Sequence, residues 1–135
     1  MRAIGIVLAG GNSKRMKELS NKRAVAAMPV AGSYRSIDFA LSNMSNSHIQ
    51  SVAVFTQYNS RSLNLHLSSS KWWDFGRKQG GMFVFTPSIT PENGDWYRGT
   101  ADALYQNLTF LKSSHEPYVV IAAGDGIYKL DYNKV

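Results

Sequence analysis

Residues 4–8, Ile-Gly-Ile-Val-Leu, form an apolar run that stops at Ala9-Gly10-Gly11. A short apolar run bounded by glycines reads as a strand buried on both faces, the kind found in parallel sheets covered by helices. Such a strand needs neighbours beside it and a helical layer above and below. The rest of the chain supplies both. Ser-Val-Ala-Val-Phe-Thr at 51–56, Met-Phe-Val-Phe at 82–85 and Tyr-Val-Val-Ile-Ala-Ala at 118–123 read as three further strands, the last buried and ending at Gly124-Asp125. Between them, Ile37, Leu41 and Met44 predict a helix over 35–47, and Leu63 and Leu67 another over 61–69. Leu104, Leu108 and Leu111 predict a single helix over 100–113, capped by Thr100 with Asp102 in its first turn. The polar, basic stretch 12–27 reads as loop with a short helical turn. Pro87, Pro91, Asn93 and Gly94 make 86–96 a loop. Strands alternating with helices give an α/β class with a mostly parallel sheet and helices on both faces.

The charge is unevenly placed. The formal net charge is +6. The first 35 residues carry Arg2, Lys14, Arg15, Lys17, Lys22, Arg23 and Arg35 against the single acid Glu18; the other hundred carry eight basic and eight acidic side chains. The excess is therefore expected around the glycine loop, where a positive field beside backbone amides suits a phosphorylated small ligand. A nucleic-acid surface would spread its basic residues along a face or interleave them with aromatics, and residues 10–23 contain no aromatic. No nucleic-acid partner is expected. Neither is a membrane partner, because no apolar run approaches bilayer length. Residues 3–9 are too short for a signal sequence and are followed by glycines and basic residues. The absence of cysteine excludes disulfides, thiolate metal sites and thiol nucleophiles. A cytoplasmic location is the default expectation.

Three segments carry chemistry. In Leu8-Ala9-Gly10-Gly11-Asn12-Ser13-Lys14-Arg15, glycines beyond a buried strand let the backbone approach a ligand and aim N–H groups at phosphates. Neither G-x-G-x-x-G nor a P-loop Gly-Lys-Ser/Thr is present, so the loop is no standard dinucleotide or triphosphate fingerprint. The plain alternative is a strand-ending turn with solvated lysines. At Gly124-Asp125 a carboxylate closes the fourth strand, where it suits Mg²⁺ bridging phosphate oxygens; taken alone it reads more simply as a turn residue. In Asp95-Trp96-Tyr97-Arg98-Gly99-Thr100-Ala101, aromatics and a glycine precede a helix and could wall a flat ligand, or merely anchor a loop. Trp72, Trp73, Asp74 and the histidines at 48, 66 and 115 read as structural, the histidines lacking metal-ligand spacing.

Taken in order, these segments, with Tyr34-Arg35-Ser36-Ile37-Asp38-Phe39-Ala40-Leu41-Ser42-Asn43, Thr56-Gln57-Tyr58 and Gly124-Asp125-Gly126-Ile127-Tyr128-Lys129-Leu130-Asp131-Tyr132, resemble the glucose-1-phosphate adenylyltransferase (ADP-glucose pyrophosphorylase) family across essentially the whole chain. The resemblance implies the N-terminal portion of a Rossmann-like nucleotidyltransferase (nucleotide-diphospho-sugar transferase) domain, occupying residues 1–135. It also implies the reaction of ATP and glucose 1-phosphate to ADP-glucose and pyrophosphate with Mg²⁺. By resemblance, Leu8, Ala9, Gly10 and Gly11 line the nucleotide and Arg15 grips its phosphates. Gln57 and Gly99 lie near the adenine, and Thr100 contributes to nucleotide binding; Trp96 and Tyr97 lie near nucleotide or glucose; Asp125 holds the metal.

The departures from the family pattern are specific. Ser13 stands where the family has a third glycine, Val25 where it has the lysine of Lys-Pro-Ala, and Gly126 where it has the histidine of Gly-Asp-His. Valine cannot meet a phosphate. These changes resemble the regulatory or weakly active subunit type of glycogen biosynthesis, which forms a hetero-oligomer with a catalytic homologous subunit. A fully competent sugar-phosphate nucleotidyltransferase and a non-enzymatic nucleotide-sensing module remain the alternatives. Family members continue well past this length into further catalytic-domain residues and a β-helix, so a fragment is expected.

Overall fold

A computed structural model describes residues 2–9, 25–56, 61–69, 73, 75, 81–86 and 99–135. The first strand, β1 (Ala3–Leu8), is buried along nearly all its length, as its apolar run requires. A 3₁₀ turn (Val25–Ala27) follows, then a small antiparallel hairpin of β2 (Pro29–Val30) and β3 (Tyr34–Arg35). The hairpin turns through Ala31 and Gly32 at φ 49° and 88°. Next come α1 (Ser36–Asn46), β4 (Ser51–Phe55), α2 (Arg61–Ser69), β5 (Gly81–Phe85), α3 (Thr100–Gln106), α4 (Leu108–Ser113) and β6 (Tyr118–Ala123), with a last 3₁₀ turn at Tyr132–Lys134.

The main sheet has the order β5-β4-β1-β6, and every pairing in it is parallel. The chain steps outward from β1 to β4 to β5, then returns to the other side of β1. Val7, Val52 and Val54 face one layer, where Ile37, Ala40, Leu41 and Met44 of α1 and Leu63 and Leu67 of α2 pack. Ile6, Ala53 and Phe55 face the other, under Ala103, Leu104, Phe110 and Leu111 of α3 and α4. Helices therefore cover both faces, as the sequence predicts. Phe85 and Phe110 stack with centroids 4.8 Å apart on the second face.

Three local readings are corrected. The predicted helix over 100–113 is two short helices, broken at Asn107, whose Nδ2 donates to the carbonyl of Ala103 (2.8 Å) and competes with the helix ladder. The break turns Leu108 outward, while Leu104 and Leu111 stay inside. Gly99, not Thr100, occupies the N-cap, with no side-chain cap bond. The predicted buried strand at 118–123 is an edge strand: Val119 and Ile121 lie beside Ile4 and Ile6 but are 47% and 51% exposed. The expected loop at 86–96 lies almost wholly outside the described residues. Among the described residues no helix is long and apolar enough to cross a membrane.

Gly5 sets the distance between sheet and helix. A Cβ there would lie 2.6 Å from Met44 Sδ, 3.2 Å from Val52 Cγ2 and 3.4 Å from Ile49 Cγ2. Overpacking of a well-filled core costs about 1–3 kcal/mol. Gly5→Ala is expected to destabilise the chain by about that amount, read from urea unfolding at constant m. Unchanged stability would show that α1 does not sit this close.

Candidate functional site

Consecutive crossovers leave β1 on one face and return to β6 over the other, so a crevice opens beyond the carboxyl ends of these two strands. In open α/β sheets that switch point is where ligands bind. Three described segments meet there. Leu8 accepts a hydrogen bond from Gly124 N–H (2.9 Å), and Ala9 N–H donates to the Phe55 carbonyl (2.8 Å). A Cβ on Gly124 would lie 3.0 Å from Ala26 Cβ and 3.2 Å from the Leu8 carbonyl oxygen. The Val25–Ala27 turn is thus pressed directly against the end of β6, one residue from Asp125.

Residues near the start of α1 hold that turn in place. Ser36 Oγ donates to the Val25 carbonyl (2.9 Å) and Ser36 N–H to that of Met28 (3.1 Å). Arg35 donates through one guanidinium nitrogen to the Ala27 carbonyl (2.6 Å) and to Ser62 Oγ (3.2 Å). Its backbone N–H donates to Asp38 Oδ2 (2.9 Å), and His66 Nε2 contacts Asp38 Oδ1 at 2.6 Å, tying α2 to the same corner. Arg35 therefore serves the scaffold. Arg2 lies at the opposite end of β1, about 17 Å away by strand rise, with Glu116 at 3.9 Å. The expectation that all the excess charge surrounds the glycine loop is corrected for Arg2. Lys14, Arg15, Lys17, Lys22 and Arg23 lie outside the described residues.

Of the predicted site residues, Leu8, Ala9 and Asp125 are brought together. Gly99 and Thr100 open α3, both exposed, with open space around a Cβ at Gly99; no hydrogen bond among the described residues joins them to Asp125. Gly10, Gly11, Arg15, Gln57, Trp96 and Tyr97 lie outside the described residues, as do Ser13, Trp72 and Asp74. Trp73 is structural, its indole N–H donating to Ser42 Oγ (3.2 Å). Sequence reasoning gave the Val25–Ala27 turn no place beside Asp125; the pairing of small Ala26 and Gly124 has no local signal.

Asp125 is exposed, and no hydrogen bond or ion pair among the described residues engages its carboxylate. Among the described residues no group of three or more His, Asp or Glu could cage a metal. A lone free carboxylate at a crevice fits Mg²⁺, which is bound through one or two carboxylates plus substrate phosphates rather than by an all-protein cage. At Gly126 a Cβ would lie 2.8 Å from the Tyr128 ring, so the residue after Asp125 is small enough for that ring to fold back against the chain.

A family profile described as nucleotidyl transferase matches residues 4–135. The chain belongs to the nucleotidyl transferase family. Relatives include the glucose-1-phosphate adenylyltransferase of Clostridium novyi (strain NT), 44% identical over 132 residues, or 98% of this chain and 35% of the relative. That of Halalkalibacterium halodurans is 46% identical over 132 residues, again 98% of this chain and 34% of the relative. The chain spans about a third of the length of the relatives it matches. The crevice between β1 and β6 is where this nucleotidyl transferase chain presents its strand ends and its free carboxylate.

Gly124→Ala is expected to destabilise the chain by about 1–3 kcal/mol, since the new methyl has no room against Ala26 and Leu8. Ala26→Gly in the same chain should recover part of the loss, because it relieves one contact and leaves the carbonyl. Additive effects in the double-mutant cycle would show that the two residues do not touch.

Proposed function

We propose that this chain is the nucleotide-handling N-terminal part of a glucose-1-phosphate adenylyltransferase subunit acting in glycogen biosynthesis, of the regulatory or weakly active type. The observation that carries the reading is the meeting of Leu8–Ala9, the Val25 turn and the free Asp125 carboxylate at the switch point of a nucleotidyl transferase fold. That these relatives are glucose-1-phosphate adenylyltransferases supports the substrate class.

In this reading the oxygen of glucose 1-phosphate attacks the α-phosphorus of ATP, the bond to the β-phosphate bridging oxygen breaks, and pyrophosphate leaves. Such chemistry asks the protein mainly for positioning and charge neutralisation. Backbone N–H groups at Gly10 and Gly11 receive phosphate oxygens beyond Leu8 and Ala9, and Arg15 neutralises them. Gln57, Gly99 and Thr100 hold the adenine side; Trp96 and Tyr97 border nucleotide or sugar. Asp125 would hold Mg²⁺ through its carboxylate, and the ion would supply charge neutralisation at the phosphates.

The weak-activity part rests on Val25. Its turn adjoins the end of β6, and an apolar side chain there brings no charge to a polyphosphate. Such a subunit would keep nucleotide binding and act through a catalytic homologous subunit in a cytoplasmic hetero-oligomer.

Calorimetry on this chain with ATP and Mg²⁺ should detect binding, and Val25→Lys should tighten it about ten-fold or more, the worth of one charge-assisted hydrogen bond. Adding the unmodified chain to the Clostridium novyi enzyme should raise that enzyme's rate of ADP-glucose formation. No ATP binding would remove the reading; binding that Val25→Lys leaves unchanged, with no stimulation, would remove its regulatory part.

A further inference from the structure

Beyond Asp125 the chain forms a strap, residues 126–131, that runs back along α1. Its attachment is almost wholly polar. Asn43, 5% exposed in the middle of α1, donates through Nδ2 to the Tyr128 carbonyl (3.0 Å) and accepts the Leu130 N–H on Oδ1 (3.2 Å). One turn further, Ser47 Oγ accepts the Tyr132 N–H (2.9 Å), and the Ser47 carbonyl accepts from Asn133 Nδ2 (3.3 Å). Packing adds little at this point: a cavity of about 320 Å³ opens between helix and strap, lined by Tyr34, Phe39, Asn46, Tyr128 and Lys129 among others. Ile127, Tyr128 and Leu130 are all substantially exposed.

Asp125 sits between two anchors. Upstream, Gly124 is bonded to Leu8 and wedged against Ala26. Downstream, Gly126 N–H donates to the Ala123 carbonyl (3.4 Å), and beyond that turn the chain is held at Tyr128 and Leu130, both by the same amide of Asn43. Without that amide, one carbonyl and one N–H lose their partners together, and among the described residues the bonds that tie the strap to the end of α1 begin only at Ser47, beyond the Gly126–Ala123 turn.

We propose that Asn43 is a positioning residue for Asp125, holding the strap so that the carboxylate meets a divalent cation carried by a polyphosphate. The proposal rests on the assignment of Asp125 to Mg²⁺ made above. Mg²⁺ demands near-octahedral oxygen ligands at about 2.0–2.1 Å, so a carboxylate on a loose turn binds it poorly even when the fold is intact. Residues that orient metal ligands typically cost about 10–100-fold in metal affinity when removed.

The test is calorimetry of ATP binding to this chain, in EDTA and across a Mg²⁺ titration, with a urea melt for each variant. Asn43→Ala is expected to leave ATP affinity in EDTA unchanged and to raise the Mg²⁺ needed for half-maximal tightening about ten-fold or more. Asn43→Asp keeps an acceptor for Leu130 N–H but sets a carboxylate against the Tyr128 carbonyl; it should fall between wild type and alanine, and carries the test if alanine fails to fold. Ser47→Ala, which loosens the strap further on, should lower stability and keep the Mg²⁺ response. Asp125→Asn should abolish that response. A response lost in Asp125→Asn but retained in full by both Asn43 variants, or lost equally in EDTA and Mg²⁺, overturns the proposal while leaving Asp125 in place. A wild-type chain without any Mg²⁺ response, or one that Asp125→Asn retains, removes the Asp125 assignment and the proposal with it.

Discussion

The contact of α1 with β1 at Gly5 governs the geometry of everything above it. A Cβ at that position would meet the Met44 sulfur at 2.6 Å, so α1 packs its Met44 side chain directly onto the bare backbone of the strand. Seated this closely, α1 becomes the frame for both walls of the crevice. At its start, Arg35 and Ser36 hold the Val25–Ala27 turn. In its second half and at its C-cap, Asn43 and Ser47 hold the segment that leaves β6. Met44 and Asn43 are adjacent, so the apolar contact that locates the helix and the polar contact that locates the strap are one residue apart. The buried Tyr132, whose hydroxyl contacts that of Tyr128 at 3.0 Å, extends the same attachment into the core. Burial, and then the Tyr128 hydrogen bond, raises the Tyr132 pKa above its ordinary value, so the phenol stays neutral in the interior.

The sheet was legible because its signal is compositional. A strand buried on both faces must be apolar at successive positions, and Ile4 to Leu8 and Val52 to Phe55 are. The hairpin Pro29–Val30 with Tyr34–Arg35 was not legible: two residues per strand carry no period, and its turn places alanine, not only glycine, at positive φ. Asn107 escaped for a related reason. Its effect on the helix lies in a side-chain bond to Ala103, while the leucine spacing across it continues undisturbed.

Charge counting was a weaker guide to the site than apolar patterning was to the fold. Net charge along a sequence does not say which way a side chain faces. Arg35, counted with the ligand-binding excess, turns inward to a backbone carbonyl and a serine; Arg2 stands at the far end of its strand. Asp38 was one of the acids balancing the remainder, yet it fastens the start of α1 to α2 through His66. Polar residues in the middle of a helix suggest a solvated face, and Asn43 contradicts that rule because its partners lie 85 and 87 residues away.

This distribution of labour bears on how a crevice of this kind changes function. The walls depend on backbone hydrogen bonds, small side chains and one helix, none of which requires the residue at 25 to be charged. Ser36 meets the Val25 carbonyl, not its side chain, and the close contact with Gly124 belongs to Ala26. A valine at position 25 therefore leaves the scaffold its bonds while removing any charge that position could offer a phosphate. Gly126 works the other way: it carries no charged group, but its lack of a Cβ admits the Tyr128 ring and so affects how the strap folds after Asp125. Substitutions at the first position act on electrostatics with the geometry preserved, and substitutions at the second act on geometry. In this chain the two turns are therefore held by different contacts, the one at 25 by Ser36 and Ala26 and the one at 126 by the Tyr128 ring and the Ala123 carbonyl.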